Sequence, residues 1–147
     1  MQVNFRNLGG RPLELWVAYL AAEYFSAGTN VLIRASNDER VRSLDQSLWT
    51  FDRASFLPHG TEPDGQADRQ PVLITAADTN PNHAKALVLV DHNVAPDGEG
   101  WDSIDYVFER NDPAAREAAR QQWRLWREQG HEPIYWETDN QGWRRAG

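Results

Sequence analysis

No cysteine occurs in the 147 residues, which removes disulfide frameworks, thiol chemistry and cysteine-based zinc sites together. That absence suits a reducing cytoplasm, the compartment expected for the chain. Lysine is nearly absent as well. Lys85 stands alone, and no GxxxxGK[ST] phosphate loop is present. No apolar run approaches the ~18 residues of a membrane span. The opening "MQVNFRNLGGRPLELW" also lacks the charged-then-apolar pattern of a signal peptide, so no membrane role is expected.

What is present is acidity. The formal net charge is −7, with 40% hydrophobic and 25% charged residues, a globular composition in a chain sized for one domain over residues 1–147. A surface this acidic repels a nucleic-acid backbone. Residues 113–129 break the trend: four arginines against two glutamates leave +2 there, so the other 130 residues sum to −9. The positive charge is local, and a local patch implies a specific partner.

"VNFRNL" (3–8) alternates as a strand should, and "GGRP" punctuates it. From Pro12, Leu13, Trp16, Val17, Leu20 and Tyr24 follow helical spacing up to Gly28. "NVLIRA" (30–35) reads as a buried strand. A second helix begins after Ser36 or Asn37 and carries Val41, Leu44 and Leu48 on one face. Residues 50–70 suit neither period and are expected to form a long loop, often a functional feature. "PVLITAA" (71–77), "KALVLVDH" (85–92) and "IDYVFERN" (104–111) predict three more strands. A helix capped by Asn111 or Asp112 follows, and then a terminal hairpin across "DNQG". Strands alternating with helices predict an α/β, three-layer Rossmann-like domain, its largely parallel sheet covered by helices on both faces.

Such a fold invites a nucleotide, but the first strand–helix junction, "NLGGRPLEL", has two adjacent glycines and no third, so its nucleotide site is read as degenerate. The histidines (His59, His83, His92 and His131) lack metal-ligand spacing. "DHNVAPDGEGWD" (91–102) puts Ala95 and Pro96 where a calcium loop needs oxygen ligands and a bend. No nucleophile with an orienting acid stands near "FLPHG". Neither a catalytic residue nor a cofactor or metal site is predicted.

The feature left over is "AAREAARQQWRLWREQG" (114–130). Arg116, Arg120, Trp123 and Arg127 share one helical face, with Arg124 flanking, while Ala115, Ala118, Ala119, Gln122 and Trp126 can pack on the sheet. A solvated basic face is the plain alternative, yet like charges at i, i+4 cost about 0.2–0.5 kcal/mol each. Arginine forks suit carboxylates and an indole offers a packing platform, so the pattern fits an acidic peptide ending in an aromatic residue with a free carboxylate. Single-stranded DNA bound directly through the same Arg/Trp face is the competing expectation, opposed by the surrounding charge. A residual nucleotide-dependent enzyme is a weaker one.

"LDQSLWTFDRASFLPHG" (44–60) and "AREAARQQWRLWREQGHEPIYW" (115–136) resemble the chi subunit family of bacterial DNA polymerase III, and "NVLIRA" and "NDPAA" extend the similarity along the chain. The resemblance implies a non-catalytic accessory subunit of the clamp-loader complex in DNA replication, on a dinucleotide-binding-like fold without the nucleotide site. It implies two partners: the psi subunit, and the acidic, Phe-ended C-terminal tail of single-stranded DNA-binding protein, through which alone DNA is met. The tail-binding positions fall on Arg116, Arg120, Trp123 and Arg124. Arg120 matches the arginine that holds the terminal carboxylate, Trp123 replaces a tyrosine, and Arg116 and Arg124 replace lysines. The psi-binding positions fall on Trp49 and Phe56, at the edge of and inside the long loop.

Overall fold

Short runs rich in β-branched residues and buried along their whole length form the middle of the sheet, as strands covered on both faces do. The computed structural model describes residues 1–50, 57–91 and 100–146, and in it these runs are β2 (Val31–Arg34), β4 (Val72–Thr75) and β5 (Ala86–Leu89). The other strands are β1 (Gln2–Asn7), β3 (His59–Thr61), β6 (Ser103–Phe108), β7 (Ile134–Asp139) and β8 (Gly142–Ala146). Among the described residues they make one eight-stranded sheet in the order β3-β4-β2-β5-β6-β1-β7-β8. All neighbours are parallel except β7 and β8, the expected terminal hairpin. Its turn is tied by the Asp139 carboxylate, which accepts the Gln141 and Gly142 amides.

Alternation along the strands decides the layers. Val31, Ile33, Val72, Ile74 and Val88 share a core with α1 (Leu13–Ser26) and α2 (Asp38–Thr50). Leu32, Leu73, Leu87 and Leu89 share the opposite core with Ala119 and Trp126 of α3 (Pro113–Glu128). Helices thus cover both faces, which is the three-layer, Rossmann-like arrangement expected. The capping is local chemistry. Asn37 Oδ1 accepts the Arg40 amide at 2.8 Å, and Asp112 Oδ1 accepts the Ala114 and Ala115 amides at 3.0 and 3.4 Å.

One expectation needs correction. Residues 50–70, anticipated as loop, contain β3 and two short 3-10 turns, Glu62–Asp64 and Ala67–Arg69. Three residues are too few to display a period, and β3 is a strand because it lies beside β4. Residues 51–56 and 92–99, which include Phe56, His92 and most of the calcium-like loop, lie outside the described residues.

A polar pin ties the hairpin to the rest of the sheet. Asp105, wholly buried on β6, accepts Arg6 Nε at 2.6 Å, Asn4 Nδ2 at 3.0 Å and the Tyr24 hydroxyl of α1. Burial, then the charge of Asp105, pushes the Tyr24 phenol well above its ordinary pKa. The Arg6 guanidinium lies 4.6 Å from the Trp136 ring on β7 and 5.3 Å from Trp143 on β8. Trp143 in turn meets Trp16 of α1 edge-on. Strand β7 is thereby held beside β1, where it walls the site described next.

Candidate functional site

Helix α3 is built to show arginine on one side. Ala115, Ala119 and Trp126 are buried at spacings of four and seven, so the residues between them turn outward. Arg116, Arg120, Arg124 and Arg127 are all exposed. Three of them, Arg116, Arg120 and Arg124, rim a hollow of about 540 Å³ between α3 and the end of the sheet, and Arg110 joins them from the turn after β6. Arg127 is not part of this rim.

Aromatic rings line the hollow beneath the arginines. Phe5 meets Trp123 edge-on with centroids 5.1 Å apart, and Phe108 meets Tyr135 of β7 at 6.4 Å. Trp123 is half-buried and packs against the core beneath α3 while also lining the hollow, rather than standing free as a platform. The Tyr135 hydroxyl is enclosed and has no hydrogen-bond partner among the described residues. Arg120 makes only a long contact with Glu117, 3.9 Å at i, i+3. Arg110, Arg116 and Arg124 have no ion partner among the described residues, although the chain carries 22 acids against 15 lysines and arginines. An aromatic hollow under uncommitted guanidinium groups can take an apolar group joined to carboxylates.

Trp49 lies elsewhere, at the end of α2, and is the most exposed large apolar side chain among the described residues, at 56%. Its ring rests on His59 of β3 with centroids 4.3 Å apart. His59 is buried, not solvated in a turn. Nδ1 lies 2.8 Å from the Leu57 carbonyl oxygen and Nε2 lies 3.4 Å from Asp45 Oδ1. Nδ1 is paired with the Leu57 carbonyl, whereas Nε2 and Asp45 Oδ1 are both buried without a hydrogen-bond partner among the described residues. Burial raises the Asp45 carboxyl above its ordinary pKa, with His59 opposing the rise and Asp64 adding to it.

The junctions after β1 and β6 are tied by a carboxylate. β1 leads through α1 to β2 on one face, β6 leads through α3 to β7 on the other, and the crevice between β1 and β6 is where such a sheet would hold a ligand. There Glu109 Oε1 accepts the Gly10 amide at 2.5 Å and Oε2 accepts the Asn111 amide at 2.9 Å. Among the described residues no group of three or more His, Asp or Glu is placed to hold a metal, and no helix is long and apolar enough to cross a membrane.

Comparison with known proteins places the architecture. Residues 1–133 match the family model described as DNA polymerase III chi subunit, HolC. The chain belongs to this family. The DNA polymerase III subunit chi of Pseudomonas aeruginosa is 30% identical over 116 residues, which cover 76% of this chain and 77% of that protein. The Escherichia coli subunit chi is 33% identical over 66 residues, 45% of each chain. A probable subunit chi from Rickettsia prowazekii is 36% identical over 67 residues, 46% of this chain and 40% of that one. Two of these alignments thus span less than half of the relative's own length.

Both β7 and β8 follow the matched stretch of this chi-family chain, yet Tyr135 of β7 is a wall of the hollow. Helical spacing put Arg116, Arg120, Trp123 and Arg127 on one face with Arg124 flanking; all but Arg127 line the hollow, and the spacing gave no sign of Phe5, Phe108, Arg110 or Tyr135. Those four come from β1, β6, the turn after β6, and β7. No single-element period can register them; only sheet order brings them together.

Proposed function

We propose that the protein is a non-catalytic accessory subunit of the DNA polymerase III clamp-loader complex, working in the cytoplasm as a connector in DNA replication. On this reading Arg116, Arg120, Trp123 and Arg124 hold the acidic C-terminal tail of single-stranded DNA-binding protein. Arg120 takes the α-carboxylate, the aromatic hollow takes the last ring, and Arg116 and Arg124 attract the preceding acids. Trp49, with Phe56, forms a separate face for the psi subunit, so that psi and the tail are linked through one rigid sheet. Family membership supports the assignment to the polymerase.

The observation that carries the tail site is the convergence of uncommitted arginines over an aromatic hollow in a chain of net charge −7. Cations placed against the sign of the whole molecule attract an anionic partner locally, and the attraction weakens with salt. Trp49, the most exposed large apolar side chain among the described residues, has the character of an interface anchor.

The test is an anisotropy titration with a short acidic peptide ending in Pro-Phe, beside its C-terminally amidated twin. Tight binding of the free acid and loss with the amide is the expected result. Equal weak binding of both, together with retention of a single-stranded oligonucleotide at moderate salt, would move direct DNA binding to the front.

A further inference from the structure

We infer that Arg110 is an additional cation of the peptide groove and reads an acidic residue a few positions before the terminal aromatic one, so that the peptide leaves the hollow toward the β6–α3 turn. The inference rests on the peptide-binding reading above and adds to it a residue that lies on no helix.

Arg110 is preset rather than floppy at its base. Its amide donates to Asn7 Oδ1 at 3.1 Å, which fixes the turn against the end of β1. The two carboxylates nearest to it in sequence are already engaged. Glu109 holds the Gly10 and Asn111 amides, and Asp112 caps α3 through the Ala114 and Ala115 amides. The Arg110 guanidinium is therefore left without an ion partner among the described residues, on the rim of the hollow.

Direction follows from counting charges on either side of Arg120. Toward the α3 N-terminus stand Arg116 and Arg110, whereas the other side offers Arg124 alone. The favourable stretch is short. Past Phe108 the adjoining hollow mixes Arg11 and Arg40 with Asp91, Glu109 and Asp112, and Arg40 is already paired with Asp91 at 3.1 Å, so the row of uncommitted cations does not continue there. An extended chain advances about 3.3 Å per residue, so Arg110 serves an acid only one or a few positions before the ring.

The experiment uses two fluorescent peptides of equal length, each with a free carboxylate on a final aromatic residue. One carries aspartates before that residue and the other asparagines. Each is titrated against the wild-type protein, Arg110→Ala, Arg127→Ala and Arg120→Ala. Arg127 is the control, because it removes the same charge from an exposed position outside the hollow. Arg110→Ala is expected to weaken the aspartate peptide about two- to fivefold and to leave the asparagine peptide unchanged, with Arg127→Ala altering neither. Equal loss for both peptides, equal loss in Arg127→Ala, or no loss at all overturns the role of Arg110. If Arg120→Ala binds both peptides as tightly as wild type, the carboxylate site itself falls, a failure separable from that of Arg110.

Discussion

Replacing Arg120 with alanine should separate binding from folding more cleanly than any other single change. The side chain is 63% exposed and its only ionic contact among the described residues is Glu117 at 3.9 Å, one helical turn away. Such a pair is worth about 0.3–0.5 kcal/mol, and alanine is at least as good a helix former as arginine, so the unfolding free energy should change by less than about 0.5 kcal/mol. Binding should change far more. If Arg120 donates two charge-assisted hydrogen bonds to a terminal carboxylate, losing them costs about 1.5–3 kcal/mol, or roughly ten- to 150-fold in Kd. Urea unfolding followed by tryptophan fluorescence measures the first quantity, and anisotropy with a Pro-Phe-ended acidic peptide measures the second. Affinity within twofold of wild type, in a protein that melts normally, would refute the carboxylate role of Arg120. Parallel loss of stability and affinity would show that the arginine supports the helix rather than the ligand.

Trp49→Ala should abolish most co-purification with a psi partner, more than about 30-fold in affinity for an interface anchor, while tail-peptide binding stays intact; unchanged co-purification would refute a two-face connector. Asp105→Ala should cost about 3–5 kcal/mol in urea unfolding, because it strands the buried Arg6 and leaves the Tyr24 hydroxyl with Ser103 Oγ alone. A loss below about 1 kcal/mol, the size of an exposed pair, would mean that the Trp136 and Trp143 rings alone satisfy the guanidinium. Asp45 supplies a pH prediction with a definite sign. Its carboxyl pKa is raised in the folded state, mainly by burial, so its contribution is fully present below the unfolded carboxyl value and is lost as pH rises through the folded one. Wild type should therefore gain stability relative to Asp45→Asn as pH falls from neutral into the carboxylate range; parallel melting profiles across that window would contradict the assignment.

Some features were settled by the sequence alone, and the reason is that each acts within one segment. Helical spacing placed Arg116, Arg120 and Trp123 together with Arg124 flanking, though it also included Arg127, which the hollow leaves out, and the "DNQG" turn announced the hairpin, both without reference to distant residues. β3 escaped notice, since three residues carry no period and only pairing with β4 makes them a strand. His59 looked like a turn residue, yet it is buried beneath Trp49 because α2 and β3 pack together. The hollow is a tertiary property for the same reason. Sheet order sets β1 between β6 and β7, and this brings Phe5, Phe108 and Tyr135 beneath the arginines of α3 although 130 residues separate Phe5 from Tyr135. A periodic face shows what a helix presents to its surroundings. What it presents it over depends on which strands are neighbours, and pairing across the chain decided that.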